Sequence, residues 1–142
     1  MLCYASYMIL QVGVKALIQN NKAEFLLIRR AVAFGEETEP HWDIPGGRID
    51  PEEPLIEALA REVQEETGLS ISSMPNLIAA QDIFAKHAEL HVVRLTYLLQ
   101  GEGTPTLSDE HQESKWMSID EALEARLDPY TREVIETKIK NA

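Results

Sequence analysis

Residues 47–69 read GRIDPEEPLIEALAREVQEETGL, a glycine-led turn that runs into a helix studded with glutamates. Residues three and four apart share one helix face, and Glu62, Glu65 and Glu66 stand in that relation. Three crowded carboxylates repel one another, so a helix that keeps them calls for cations. All-oxygen ligands suit hard ions, which points to Mg²⁺ or Mn²⁺ with phosphate oxygens and waters filling the remaining positions. A charge run is more often a solvated helix face. The residues around the acids decide against that reading here. Leu55, Ala58, Leu59 and Val63 form an apolar stripe that should pack on a sheet, with the acids off the stripe. Gly46 and Gly47 permit a tight turn and close approach behind Pro45, Pro51 and Pro54 suit a first helical turn, and Gly68 reads as a left-handed helix stop. Arg61 precedes Glu65 by one helical turn and can hold its carboxylate in position.

The spacing is more specific still. Five residues separate Gly47 from Glu53 and seven separate Glu53 from Arg61; Glu62, the aliphatic Val63, Glu65, Glu66, Gly68 and the aliphatic Leu69 follow. This pattern resembles the Nudix box, with every fixed position of that signature filled, and Trp42 to Gly47 is similar to the family's lead-in. The resemblance implies an α+β fold, an α/β/α sandwich with a mixed β-sheet, and one Nudix hydrolase domain over residues 1–142. It also implies metal-assisted cleavage of a diphosphate linkage, with Glu62, Glu65, Glu66 and the Gly46 carbonyl as metal ligands and Arg61 as the residue that orients them. Family members use different general bases, so Glu66, Glu62 and Glu113 stay open for that role. Glu53 is expected to ligate through water or to orient the cluster. The acidic loop at 109–113 is expected to face the metal, with Glu113 placed ahead of Glu110. Arg29, Arg48, Phe34 and His111 are the candidate substrate contacts.

Composition fits a small enzyme. One domain of 142 residues is long enough for a real core. A net charge of −11, from 24 acidic against 13 basic residues, disfavours nonspecific binding to nucleic acid or anionic membrane. The single cysteine, Cys3, excludes an internal disulfide and reads as a buried thiol in a reducing cytoplasm. Met1 to Leu10 lacks a basic n-region and reads as a strand rather than a signal or membrane segment. Strands are expected at 11–19 and 24–30 around Asn20-Asn21-Lys22, a loop over 31–41, and strands at 77–85 and 89–100. A polar loop over 101–114, a short strand at 115–117, a helix from Ser118 and a last helix capped by Asp128-Pro129 follow. The four histidines show no HExxH zinc spacing. Trp42, Phe84 and Trp116 read as buried aromatics before base platforms.

The implied substrate is a nucleoside diphosphate joined to a further group. Subfamily markers lie downstream of the box: a proline for ADP-ribose hydrolases and a tyrosine for dinucleoside polyphosphate hydrolases. This chain carries Phe84, Ala85, Lys86 and His87 there, and residues 26–47 lack the complete coenzyme A pattern. These absences favour a nucleoside triphosphate pyrophosphohydrolase, with ADP-ribose or a nucleotide sugar as the alternative. A regulator that binds a nucleotide metabolite without cleaving it is the reading of another class. The intact acids, and the lack of a basic DNA-binding helix, argue against it. A homodimer is common in the family.

Overall fold

The structure, a computed structural model, describes residues 7–30 and 40–141. Cys3 and Phe34, with the thiol and substrate-contact readings attached to them, lie outside the described residues, as does most of the loop expected over 31–41. The elements run β1 Ile9–Gln19, β2 Phe25–Arg30, β3 Trp42–Asp43, β4 Gly46–Arg48, α1 Leu55–Thr67, β5 Asn76–Ala85, β6 Leu90–Gln100, β7 His111–Met117, α2 Ile119–Glu124 and α3 Pro129–Val134. A π-helical turn, Ile135–Lys140, continues α3. Among the described residues no helix is long and apolar enough to cross a membrane.

β1 is the strand on which the sheet is built. It runs parallel to β6 over its whole length, from Ile9↔Leu90 to Gln19↔Gln100. On its other edge it pairs antiparallel with β4 through Gly13↔Arg48 to Lys15↔Gly46, and with β2 at Gln19↔Phe25. The full order is β3-β2-β1-β6-β5, with β4 on β1 and β7 on β2, so the sheet is mixed. Side chains alternate across β1. Val14, Ala16 and Ile18 join Ala58, Leu59 and Val63 of α1, while Leu17 joins Phe25, Leu27, Ala122, Leu127 and Ile135 on the other side. The result is a sheet between two helical layers. Each fully buried aliphatic side chain contributes about 1.5–3 kcal/mol. Helix propensities differ by tenths of that, so the stripe on α1, not its intrinsic preference, fixes the helix to the sheet.

Three local expectations change. Residues 111–114 are strand rather than loop, because β7 pairs with β2 from Arg30↔His111 to Phe25↔Met117, and pairing overrides a polar sequence. Pro54 is the residue that caps α1 and Pro51 lies in the turn before it, so neither is in the helix. The last helix does run on past Val134, but Ile135–Lys140 are wound as a wider π-helical turn rather than as α-helix. Ser118 closes a capping box with Glu121, as its place in the sequence suggests.

An ion network ties the α3 side of the sheet together. Arg94 of β6, only 5% exposed, donates to Asp128 at 3.1 Å and to Asp43 at 3.2 Å, and it also bonds Thr131. Asp128 accepts from the N–H groups of Tyr130 and Thr131 at 3.0 Å each, capping α3. Asp43 takes Lys15 Nζ at 3.1 Å. Burial works against the Asp43 charge, but Lys15, Arg94, the Thr131 hydroxyl and the Ile44 N–H together hold its carboxyl far below the usual range. Removing Arg94 takes the shared cation from two half-buried acids and leaves the rest of the network uncompensated. Arg94→Met should therefore lower stability by about 3–5 kcal/mol, read as a lower urea midpoint at unchanged m-value.

Candidate active site

β4 slides its glycines beneath α1, and this approach creates the site. Gly46 (φ 149°) donates its N–H to Glu66 Oε2 at 3.0 Å. At Gly47 an added Cβ would lie 2.7 Å from the Glu62 carboxylate, so only glycine lets that acid sit against the strand. Gly68 ends the helix in the left-handed conformation, φ 71°, with its N–H on Gln64 O at 2.9 Å.

Arg61 gathers the remaining acids. It grips Glu53 with two bonds, Nε to Oε2 at 2.7 Å and Nη2 to Oε1 at 2.9 Å. Nη1 reaches Glu62 at 3.0 Å and Glu65 at 3.2 Å, and Nη2 reaches the Arg48 carbonyl at 3.2 Å. The expected Arg61–Glu65 pair is present, but the two-pronged bond goes to Glu53. That geometry is the stronger one. Glu53 therefore orients Arg61 and is itself held down at about 2 by the Arg61 hydrogen bond and the Asp50 N–H.

The second loop reaches the site through the end of α1. Thr106 N–H bonds Thr67 O at 2.8 Å and Ser108 N–H bonds Glu66 O at 3.3 Å, which turns residues 108–111 back over the helix. Ligand atoms of Glu66, Glu110 and His111 then lie within 4.8 Å of one another. Burial, with the nearby charges of Arg30 and Lys15, pushes the His111 imidazole below its ordinary value. Glu110, placed second on sequence, is the loop acid at the cluster. Glu113, placed first, sits on β7 in an ion pair with Arg29. Arg29 in turn lies over Trp42, 5.5 Å from the ring centroid. Neighbouring strand residues face opposite ways, so Arg30, not Arg29, borders the site.

Two cavities meet there. One of about 700 Å³ is lined by Arg61, Glu62, Glu65, Asp50, Ser108, Asp109 and Glu110. The other, about 390 Å³, has Lys15, Ile28, His41, Asp43, Ile83, Arg94 and His111 in its walls. Arg30, Gly46, Arg48 and Glu66 belong to both. Of the expected substrate contacts, Arg48 and His111 are therefore at the cavities, Arg29 is not, and Phe34 lies outside the described residues. Trp42, Phe84 and Trp116 line neither: Phe84 lies against His91 at 4.6 Å, and Trp116 bonds Gly103 O at 3.0 Å.

Lys15, Arg30, Asp43 and Arg94 were not singled out from sequence. A signal existed for two of them, since Lys15 and Arg94 each interrupt an apolar strand run, where a charge must be buried or functional.

The donor chemistry fits a divalent cation. Glu66 is only 9% exposed, and burial pushes it up to about 7 from an ordinary 4.5 despite Lys15 and the Gly46 N–H. Burial also raises Glu62. Glu65 is the accessible member, 58% exposed in its side chain. Two starved carboxylates beside an open one make a cradle short of positive charge, and Glu62, Glu65, Glu66 and Glu110 could supply oxygen ligands to a cation.

A mixed sheet between helical layers, with a carboxylate helix laid over a glycine strand, defines an α+β sandwich whose site suits metal and phosphate. A family model for the NUDIX domain matches residues 9–138, and the chain belongs to that family. It is 35% identical over 83 residues to the CMP-5'-(N-acetyl-N-hydroxy-3-aminopropyl)phosphonate hydrolase of Streptomyces rubellomurinus, a match that covers 58% of this chain and 40% of that one. It is 30% identical over 111 residues to the asymmetrical bis(5'-nucleosyl)-tetraphosphatase of Rattus norvegicus, covering 75% and 72%. Among solved structures it is similar to the MutT protein from Methanosarcina mazei Go1, with a TM-score of 0.79 and 32% identity over 93% of this chain and 94% of that one. The fold is thus the Nudix fold, and the family is one of hydrolases acting on pyrophosphate bonds.

Two outcomes follow. In metal-free protein the folded state holds a proton on Glu66 up to about 7, whereas the unfolded carboxyl releases it near 4.5. The stability from that retained proton is complete below 4.5 and is lost as pH rises through 7, a change of up to about 3 kcal/mol. Melting temperature should fall across this window, Glu66→Gln should flatten the fall, and Mg²⁺ or Mn²⁺ should reverse it. Gly47→Ala should push the Glu62 carboxylate aside and weaken divalent-cation binding by about tenfold or more, read by titration calorimetry.

Proposed function

We propose that this chain, as a single Nudix domain, hydrolyses the diphosphate linkage of a nucleoside diphosphate joined to a further group, a nucleoside triphosphate foremost, with Mg²⁺ or Mn²⁺ as cofactor. The observation that carries this reading is the meeting of two cavities at Glu66, Gly46, Arg30 and Arg48. It supports a substrate whose diphosphate crosses that junction, with the nucleoside in the smaller cavity and the leaving phosphates in the larger. Ile28, Ile44 and Ile83 give the smaller cavity apolar wall for a base and sugar.

Glu62, Glu65, Glu66 and the Gly46 carbonyl would hold the cation. When bound, it supplies positive charge that polarises a phosphoryl oxygen and acidifies water. Arg61 keeps Glu62 and Glu65 in place through the bonds described above. Arg30 and Arg48 offer positive charge to phosphate oxygens at the junction. Glu66 and Glu62, both in the wall of the larger cavity, remain as acceptors for the proton of the attacking water. Glu113 is the weaker candidate because its charge is already matched by Arg29.

The experiment is release of phosphate and nucleotide from nucleoside triphosphates, ADP-ribose, nucleotide sugars and dinucleoside polyphosphates with Mg²⁺ or Mn²⁺. Glu65→Gln and Glu66→Gln should each lower kcat by about a hundredfold or more; Arg29→Ala, away from the cavities, should change it little. Turnover confined to ADP-ribose or a nucleotide sugar would replace the triphosphate reading. Nucleotide binding without turnover of any substrate would sink the hydrolase reading in favour of a sensor.

A further inference from the structure

We propose that His111 joins Glu66 and Glu110 as a metal ligand, and that this mixed nitrogen and oxygen set biases the site toward first-row transition ions, Mn²⁺ included, over Mg²⁺. The inference rests on the reading above only in placing a cation at Glu66.

Three ligand atoms lie within 4.8 Å of one another, one from each residue. Ligands at about 2.1 Å from one octahedral ion stand about 3.0 Å apart when adjacent and about 4.2 Å apart when opposite, so the trio shares one ion once its atoms draw together around it. The three do not merely share an acidic patch. Glu66 is buried, opens on both cavities, and has one oxygen taken by the Gly46 N–H; its Oε1 accepts no hydrogen bond among the described residues. His111 is half-buried in β7, and its backbone register on Arg30 fixes where the ring stands. Ser108 Oγ lies 3.4 Å from Nδ1, within reach of that ring nitrogen, and a neutral imidazole keeps one nitrogen electron pair to offer an ion. The loop supporting both partners is pinned to the metal helix itself, by Ser108 N–H on Glu66 O at 3.3 Å and by Thr106 N–H on Thr67 O at 2.8 Å.

The selectivity follows from the ligand chemistry. Mg²⁺ demands an octahedron of hard oxygens and gives up water reluctantly. An imidazole replacing one of those oxygens favours first-row ions, which bind nitrogen more strongly. Carboxylates from Glu62 and Glu65 still accept Mg²⁺ nearby, so His111 shifts a preference rather than excluding an ion.

The test loads wild type, His111→Gln and His41→Gln with Mn²⁺ and records electron spin-echo envelope modulation, which reports nitrogen bound to the ion. Wild type and His41→Gln should show nitrogen modulation and His111→Gln should lose it. Calorimetric titration should find the preference for Mn²⁺ over Mg²⁺ reduced roughly tenfold in His111→Gln. Bound Mn²⁺ without nitrogen modulation in the wild type, or modulation that survives in His111→Gln, overturns the proposal. Turnover without nitrogen modulation would sink this ligand while leaving the hydrolase reading intact. Nitrogen modulation without turnover of any phosphate anhydride would do the reverse.

Discussion

A carboxylate nine-tenths withdrawn from water carries a desolvation cost of several kcal/mol unless something meets its charge, and Glu66 is such a group. Protein supplies one N–H from Gly46 and the field of Lys15, which do not suffice, so the acid retains its proton up to about 7. Much of the architecture serves that burial. β4 must be glycine-rich to pass under α1, β1 must present Lys15 opposite Gly46, and the helix must end at Gly68 so that the loop before β7 can pass over Glu66. The energetic debt of the bare site is what a divalent cation would relieve.

The second charged system, Lys15, Asp43, Arg94 and Asp128, balances its charges from within and differs in kind. Replacing a buried ion network by apolar residues is often neutral or stabilising, so net stability is a poor account of its presence. Its members come from β1, β3, β6 and the cap of α3, four elements that apolar packing alone could let slide. Directional bonds at this junction fix the short β3 strand, and with it the start of the glycine segment that follows directly at Gly46. Lys15 belongs to both systems, which couples the floor of the smaller cavity to the metal cradle.

How much of this was legible in sequence depended on whether a residue's environment is local. The helix, its stripe and its glycine stop were readable because neighbours along the chain determine them, and the box spacing located Glu62, Glu65 and Glu66 and the Nudix fold. Strand pairs at 76–85 and 90–100 were readable from their alternation. What failed was contact across the sheet. Glu113 and Glu110 are three residues apart in one acidic run, and only the pairing of β7 with β2 shows that Arg29 claims the first while the turn before the strand delivers the second to Glu66. Arg29 and Arg30 are adjacent and chemically equal, and no pattern in an apolar strand tells which one faces the cavities. Arg61 was assigned to Glu65 by helical spacing, yet its two-pronged bond reaches Glu53, which lies before the helix begins.

Four acids of one short segment end in three electrostatic states, and that partition sets them apart from one another. Glu53, gripped by Arg61, is held at about 2 and stays charged at any working pH, so it can only be a fixed strut. Glu65, the most exposed of the cluster, holds only one contact to Arg61 and otherwise faces solvent. Glu66 and Glu62, raised by burial, alone have proton affinities that respond to an added cation or to an approaching phosphate. Arg61 sets this division. By spending its two-pronged bond on Glu53 and only single contacts on Glu62 and Glu65, it aligns the helix acids while leaving them room to accept further positive charge.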